Sequence, residues 1–486
     1  MTKINDLKSK TASQIVWNFT ELMLRRGSSS LITIVLAWFL TSHDFGLIAM
    51  MAVFLALSNV LVDAGLSQAL IRKQSVSASE YNTVFYANIG LALVMYGLLF
   101  GTAPIIADFY EEPSLEQLIR VAGLAIVFSA FSVVQRAILS RKLKFKLQMQ
   151  VSLPSTILSG IVAIVLAYLD FGVWALVAQI IVQTLLNSVL YWFLKLWRPE
   201  LEFNWKELVE LFYFAGFLLL IQLTTVPVRY MYVIVIAKVF SAPIAGFYFF
   251  SQKIRDLLVD QLVSSVQAVT FPALAKLQEQ PERLKNGYRQ VVAVTTFMMF
   301  PILIFIAAQS ENIFRFFLPE TWWQGAAYLQ LMCLAALMNP LHAINLNILK
   351  VKGRSDLVFY LGLFKKTVAV GIFAISFRYG ITIILLGQIL SSILAYLPNS
   401  YYSKQLIDYT VYEQLVDFVP GLLLAAVIGV VMWWIQRVLN WSPLSELVVL
   451  GGMGLLAYLF GAWLLKLRAL ELVHELFNDK FKRKAV

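Results

Sequence analysis

The sequence predicts an all-α integral membrane protein of about fourteen transmembrane helices. The expected architecture is two parallel six-helix repeats with two further helices at the C-terminal end. Three observations lead there. Of 486 residues, 60% are hydrophobic and only 14% charged. Apolar runs of about 20 residues, enough to cross ~30 Å of hydrocarbon, recur along the whole chain. Lysine and arginine gather in alternate connections between them, which is the positive-inside pattern.

Composition comes first. Mean hydropathy is +0.75, and a water-soluble fold of this length could not cover so much apolar surface. The net charge of +11 would suggest nucleic acid in a soluble protein. Its placement between apolar runs assigns it to topology instead, so no nucleic-acid partner is expected. The single cysteine, Cys333, excludes an internal disulfide and a thiolate metal cluster. Three scattered histidines, His43, His342 and His474, leave little for zinc or imidazole catalysis. No cofactor and no metal are expected. The basic segment Met1–Lys10 has no separate apolar region and cleavage site, so the first span is expected to serve as its own uncleaved insertion signal.

Spans are expected near 13–40, 46–65, 82–107, 117–139, 149–169 and 173–194, then 208–239, 244–270, 287–309, 323–349, 357–377, 380–399, 418–436 and 443–465. With the N-terminus inside, one side collects Arg72 and Lys73, Arg141, Lys142, Lys144 and Lys146, and Lys195, Arg198 and Lys206. It continues with Lys276, Arg283, Lys285 and Arg289, then Lys350, Lys352 and Arg354, and the basic C-terminal tail. Connections on the other side hold Arg315, Arg378 and Arg437 beside acidic stretches such as Asp108, Glu111 and Glu112. Both termini are therefore expected in the cytoplasm. No exposed connection is long enough for an outer domain.

The chain also repeats itself. Leu36-Ala37 before Gly46 matches Ile236-Ala237 before Gly246, and Phe171-Gly172 with Gln179 resembles Tyr379-Gly380 with Gln388. Ile138-Leu139 before a basic connection resembles Ile348-Leu349 before Lys350 and Lys352. An even number of spans per copy makes the copies parallel, a transporter architecture. The expected division is a first lobe over 1–197, a cytoplasmic linker and amphipathic start over 198–207, a second lobe over 208–405, and two further spans with a basic tail over 406–486.

Charges within the spans are the candidate site. Arg25 and Arg26 fall in the first span and Arg229 in the seventh, just after Pro227. The eighth carries Lys253, Arg255, Asp256 and Asp260, and the second Asn59 and Asp63. Each ion facing lipid at a helix centre would oppose insertion by about 2.5–3.5 kcal/mol, so these groups face a wet cavity or one another. Lys253, Asp256 and Asp260 share a helix face, and a plain structural ion pair accounts for them equally well. Arg25, Arg26 and Arg229 exceed the carboxylates near them, and Lys253 and Arg255 are further candidates to join them. A guanidinium excess at depth suits an anion, whose phosphate oxygens match its planar fork. Asn59, Asp63, Asp256 and Asp260 are the polar candidates for ion coupling, with a proton or sodium as the ion. Arg136 and Arg120, in the fourth span, are weaker candidates, and Arg136, near the end of that span, snorkels in the plainer reading.

Several segments together carry a family resemblance. These are Asp44-Phe45-Gly46, Asp63-Ala64-Gly65-Leu66-Ser67-Gln68-Ala69-Leu70-Ile71, Leu143-Lys144-Phe145-Lys146, and Phe271-Pro272-Ala273-Leu274-Ala275-Lys276-Leu277-Gln278. In their order and positions the chain resembles the polysaccharide-lipid flippases of the multidrug/oligosaccharidyl-lipid/polysaccharide exporter superfamily. The likeness is to the exporters of O-antigen, colanic-acid and teichuronic-acid type. The resemblance implies two six-helix lobes around a central cavity that opens alternately to each side. The implied cargo is an undecaprenyl-diphosphate-linked oligosaccharide, moved to the outer leaflet of a bacterial inner membrane. It also implies a polysaccharide polymerase and glycosyltransferases as neighbours in the pathway, and no enzymatic activity in this chain. Arg229-Tyr230 departs from the family pattern, in which a carboxylate is more frequent, and this counts against carboxylate-based coupling there. The alternative within the superfamily is a cation-coupled multidrug exporter.

Overall fold

The described residues of this computed structural model are 23–73, 75–439 and 441–474. The side chains of 258, 260–262, 264, 265, 268, 269, 271–273 and 355 lie outside the description. Within it the chain is all helical, with no strand. Contacts divide it into two compact units, Met1–Phe249 and Phe250–Val486.

The first unit opens with α1 over 23–36. It continues with α2 (Ser42–Asp63), α3 (Leu66–Arg72), α4 (Ala78–Tyr110), α5 (Ser114–Ala122), α6 (Leu124–Ala130), α7 (Val133–Arg141), α8 (Phe145–Tyr168), α9 (Val173–Phe193) and α10 (Trp205–Val239). It ends within the first turns of α11 (Ala242–Ala275). The second unit holds the rest of α11, then α12 (Pro281–Ala308), α13 (Ser310–Phe317), α14 (Gly325–Ala335), α15 (Asn339–Val351), α16 (Ser355–Ser376), α17 (Ile381–Ile407), α18 (Val411–Val438) and α19 (Pro443–Leu464).

Among the described residues, eleven helices are long and apolar enough to cross a membrane, or twelve when a bent pair counts as one span. The expected number was about fourteen. The first expected span lies partly outside the described residues. The eighth corresponds to α11, which carries four charged residues near its middle and is not among the eleven. The fourth is the bent pair, Ser114–Ala130 and Val133–Arg141, meeting at 44°. Lys238, which the reading of the outer connections passed over, ends α10 and pairs with Glu111 at 2.7 Å. That contact holds the Glu111 carboxyl below its ordinary range.

The family-like segments have local physical reasons. Thr41 accepts from the Asp44 backbone N–H while the Asp44 carboxylate accepts from the Thr41 N–H at 2.9 Å, a capping box that starts α2. Phe45 is buried beside it. At the other end Ala64 (φ 46°) and Gly65 (φ 75°) turn left-handed, and a Cβ on Gly65 would lie 2.7 Å from the Ala215 carbonyl oxygen. Leu143, at φ 53°, makes the matching reversal before α8.

α10 is 35 residues long, or about 52 Å at 1.5 Å per residue, which overshoots a ~30 Å hydrocarbon layer. Its overhang is tied to α4. Ser79 Oγ donates to Glu207 at 3.0 Å, the Asn204 N–H donates to Thr83 Oγ1 at 3.0 Å, and the Glu200 N–H to Asn82 Oδ1 at 3.2 Å. Lys73 bridges Glu80 and Glu210, and these carboxylates raise its amine above the usual lysine range. The amphipathic start of α10 is thus a docked element.

Candidate functional site

Within the first unit, the inner faces of α1, α2, α3, α6, α7, α8 and α9 enclose a cavity of about 760 Å³, inside the range typical of ligand sites. Helical periodicity explains its lining. α9 presents Gln183, Asn187 and Tyr191 at i, i+4 and i+8, and α8 presents Phe145, Gln148 and Ser152 at i, i+3 and i+7. Arg136 and Ser140 project from α7, Asn59 and Asp63 from the last turns of α2, and Ser67 and Gln68 from α3. Arg25 comes from α1 and Ser129 from α6.

The charged groups of the lining among the described residues are two guanidiniums, Arg25 and Arg136, against one carboxylate, Asp63. Among the described residues Arg136 makes no ion pair, and Asp63 accepts a hydrogen bond from Ser67 Oγ. Hydroxyls and amides supply most of the rest. Ser129 Oγ donates to Asn59 Oδ1 at 3.2 Å, while Asn59 Nδ2 donates to the Leu55 carbonyl at 2.9 Å. Gln148 Nε2 donates to Ser140 Oγ at 2.8 Å and Gln183 Nε2 to Thr156 Oγ1 at 3.0 Å. The buried Asn187 Oδ1 has no hydrogen-bond partner among the described residues.

The cavity lies toward one end of its helices. The last turns of α2 and α9, the first turns of α8 and the end of α7 all contribute to it. These are the ends joined by Arg72 and Lys73, by Arg141, Lys142 and Lys144, and by Lys195 and Arg198.

The structure brings together Arg25, Asn59 and Asp63 with Arg136, one of the two weaker candidates; the other, Arg120, lies outside the lining and pairs with Glu116 at 2.7 Å. Arg26 is half-buried on α1 outside the lining, and Arg229 is exposed on α10, also outside it. In the second unit, Lys253 is exposed on α11, and Arg255 Nε donates to Asp256 Oδ1 at 2.9 Å. Helical spacing aligns Asp256 with Lys253, whereas its carboxylate is held by its chain neighbour. The Asp260 side chain lies outside the described residues.

Sequence reasoning missed the amides. Gln183 and Asn187, four apart in an otherwise apolar helix, were the available signal. It also passed over Lys365 and Lys366, half-buried at the centre of α16. Two of the family-like segments turn out to line the cavity, through Asp63, Ser67, Gln68 and Ile71 and through Phe145.

The model of a family described as polysaccharide biosynthesis protein matches residues 35–327, more than half of the chain. The lipopolysaccharide biosynthesis protein WzxC of Escherichia coli (strain K12) is 26% identical over 401 residues, 80% of this chain and 81% of that protein. The teichuronic acid biosynthesis protein TuaB of Bacillus subtilis (strain 168) is 26% identical over 309 residues, 62% of this chain and 63% of that protein. Among solved structures, the lipid II flippase MurJ in an inward closed conformation superposes with a TM-score of 0.74. That match is 15% identical and covers 93% of this chain and 98% of that one, so the two share a fold.

Proposed function

The chain belongs to the polysaccharide biosynthesis protein family, and from that premise we propose that it is a transporter flipping a lipid-linked oligosaccharide across a bacterial membrane. The cargo is an undecaprenyl-diphosphate-linked saccharide, moved by alternating access from the inner to the outer leaflet of the inner membrane for surface polysaccharide synthesis. The chain is a carrier and not an enzyme. The glycosyltransferases and polymerase that make and use the cargo are its expected functional partners.

One observation carries this reading: a cavity of about 760 Å³ with two guanidiniums, one carboxylate and a wall of hydroxyls and amides. Arg25 and Arg136 supply the planar donors that a diphosphate accepts, and the polyprenyl tail can stay in lipid. A cation-coupled drug exporter would want carboxylates in excess, and this cavity has the opposite balance.

Both termini are assigned to the cytoplasm, because the basic connections then face inward. The cavity accordingly loads from the cytoplasmic leaflet, where the cargo is made. Moving about two negative charges outward down a 100 mV potential releases about 4–5 kcal/mol, so the potential alone can set direction. Coupling to a proton or sodium is not required.

Complementation of a deletion strain tests the function. Wild-type protein should restore surface polysaccharide, while Arg25→Ala and Arg136→Ala, expressed at wild-type level, should restore little. Full restoration by both variants would overturn the assignment of the site to the diphosphate.

A further inference from the structure

The cavity contains more hydrogen-bond acceptors than a diphosphate can use. Gln148 and Gln183 each commit their amide nitrogen to a neighbouring hydroxyl, Ser140 at 2.8 Å and Thr156 at 3.0 Å. Their carbonyl oxygens remain for whatever enters the cavity that both residues line. Asn187, one turn beyond Gln183 on the same face of α9, lines it too, and its buried Oδ1 has no partner among the described residues. A buried acceptor left unmatched is costly, so its partner is to be sought in a ligand.

The three parts of the proposed cargo differ in what they can donate. A polyprenyl chain has no polar hydrogen. An ionised diphosphate only accepts. The saccharide alone carries hydroxyl or acetamido N–H donors. We therefore propose, on the basis of the flippase reading, that Gln148, Gln183 and Asn187 form a sugar-reading stripe on α8 and α9. They accept hydrogen bonds from the sugar next to the diphosphate while Arg25 and Arg136 hold the phosphates. Phe145 and Tyr191 add apolar ring surface at the basic end of the stripe. Neutral carbonyl oxygens repel a carboxylate, so the sugar read here is uncharged. A site built to satisfy a hydroxyl discriminates against ligands that lack it, because its own acceptors are then stranded.

The test is binding to purified protein in nanodiscs. The probes are bare undecaprenyl diphosphate and the same lipid bearing glucose, galactose, N-acetylglucosamine or glucuronic acid. Wild-type protein should bind at least one uncharged glycolipid about tenfold more tightly than the bare lipid. Gln183→Leu and Asn187→Leu should each lose most of that margin, and a melting temperature close to that of wild-type protein reports that they are folded. Arg25→Ala should weaken bare and sugar-bearing lipids alike. Equal binding of bare and sugar-bearing lipids, an unchanged margin in both leucine variants, or preference for glucuronic acid would each overturn the sugar stripe and leave the flippase reading intact. Failure of wild-type protein to bind any of the five lipids would instead overturn the flippase reading.

Discussion

Gly46 and Gly246 sit at a single helix crossing, each against the backbone four residues before the other. A Cβ on Gly46 would lie 1.9 Å from the Ala242 carbonyl oxygen, and one on Gly246 would lie 1.8 Å from that of Ser42. The contact is reciprocal and brings the first turns of α2 and α11 to the closest approach that glycine allows. The same two glycines are the ones that the internal repeat of the sequence aligns.

Neither glycine can therefore accept a side chain without moving a helix. Gly46→Ala and Gly246→Ala should each destabilise the protein by about 1–3 kcal/mol. The double variant should cost less than the sum, because both act on one crossing. Gly90, Gly97 and Gly101, whose added Cβ would meet nothing within 4 Å, should tolerate alanine, with a gain of up to about 0.5–1 kcal/mol in a helix interior. Thermal melting in detergent separates the two groups.

The overhang of α10 is held by few hydrogen bonds, and removing one acceptor should loosen it. Glu207→Ala strands Ser79 Oγ, which donates to it at 3.0 Å. A loss of about 1 kcal/mol would raise the opened fraction roughly fivefold. In inside-out vesicles, trypsin should then cut after Arg198 and Lys206 faster than in wild-type protein.

In the second unit Arg289 clasps Asp417 through Nε and a terminal nitrogen, both at 2.8 Å, and Tyr409 donates to the same carboxylate at 2.7 Å. This pair joins α12 to α18. Asp417→Ala leaves a half-buried guanidinium without its main partner and should cost about 3 kcal/mol. Arg289→Met combined with Asp417→Leu should recover most of that loss, since the pair's own desolvation disappears with it. Melting temperatures of the single and double variants check the difference.

Cys333 is fully buried and should resist maleimides in the folded protein. A Cys333→Ala background allows single exposed cysteines to report sidedness. Glu111→Cys should react with an impermeant maleimide added to intact spheroplasts, and Lys142→Cys should react only after the membrane is opened. The reverse pattern would invert the assigned topology.

The membrane class and most helix positions were legible because a run of apolar residues long enough to span is a one-dimensional signal. The break between Ala130 and Val133 was less visible, since hydrophobicity continues through it while the backbone bends. Arg25, Asn59 and Asp63 were found because a polar group within an apolar span is conspicuous. Gln183 and Asn187 were missed because uncharged amides cost less to insert than ions and stand out less. Arg229 also lies inside an apolar helix, yet it is outside the cavity lining. Which way a residue faces depends on neighbouring helices, and the chain does not encode that locally.

The crowding of cavity residues at the basic helix ends has an electrical consequence. With the basic connections facing inward, as proposed, an anion seated there would have crossed only a small fraction of the membrane field, so docking would be nearly voltage-silent. Almost the whole electrical distance remains for the step that carries the phosphates outward. Polarisation should then leave the concentration for half-saturation almost constant and accelerate turnover.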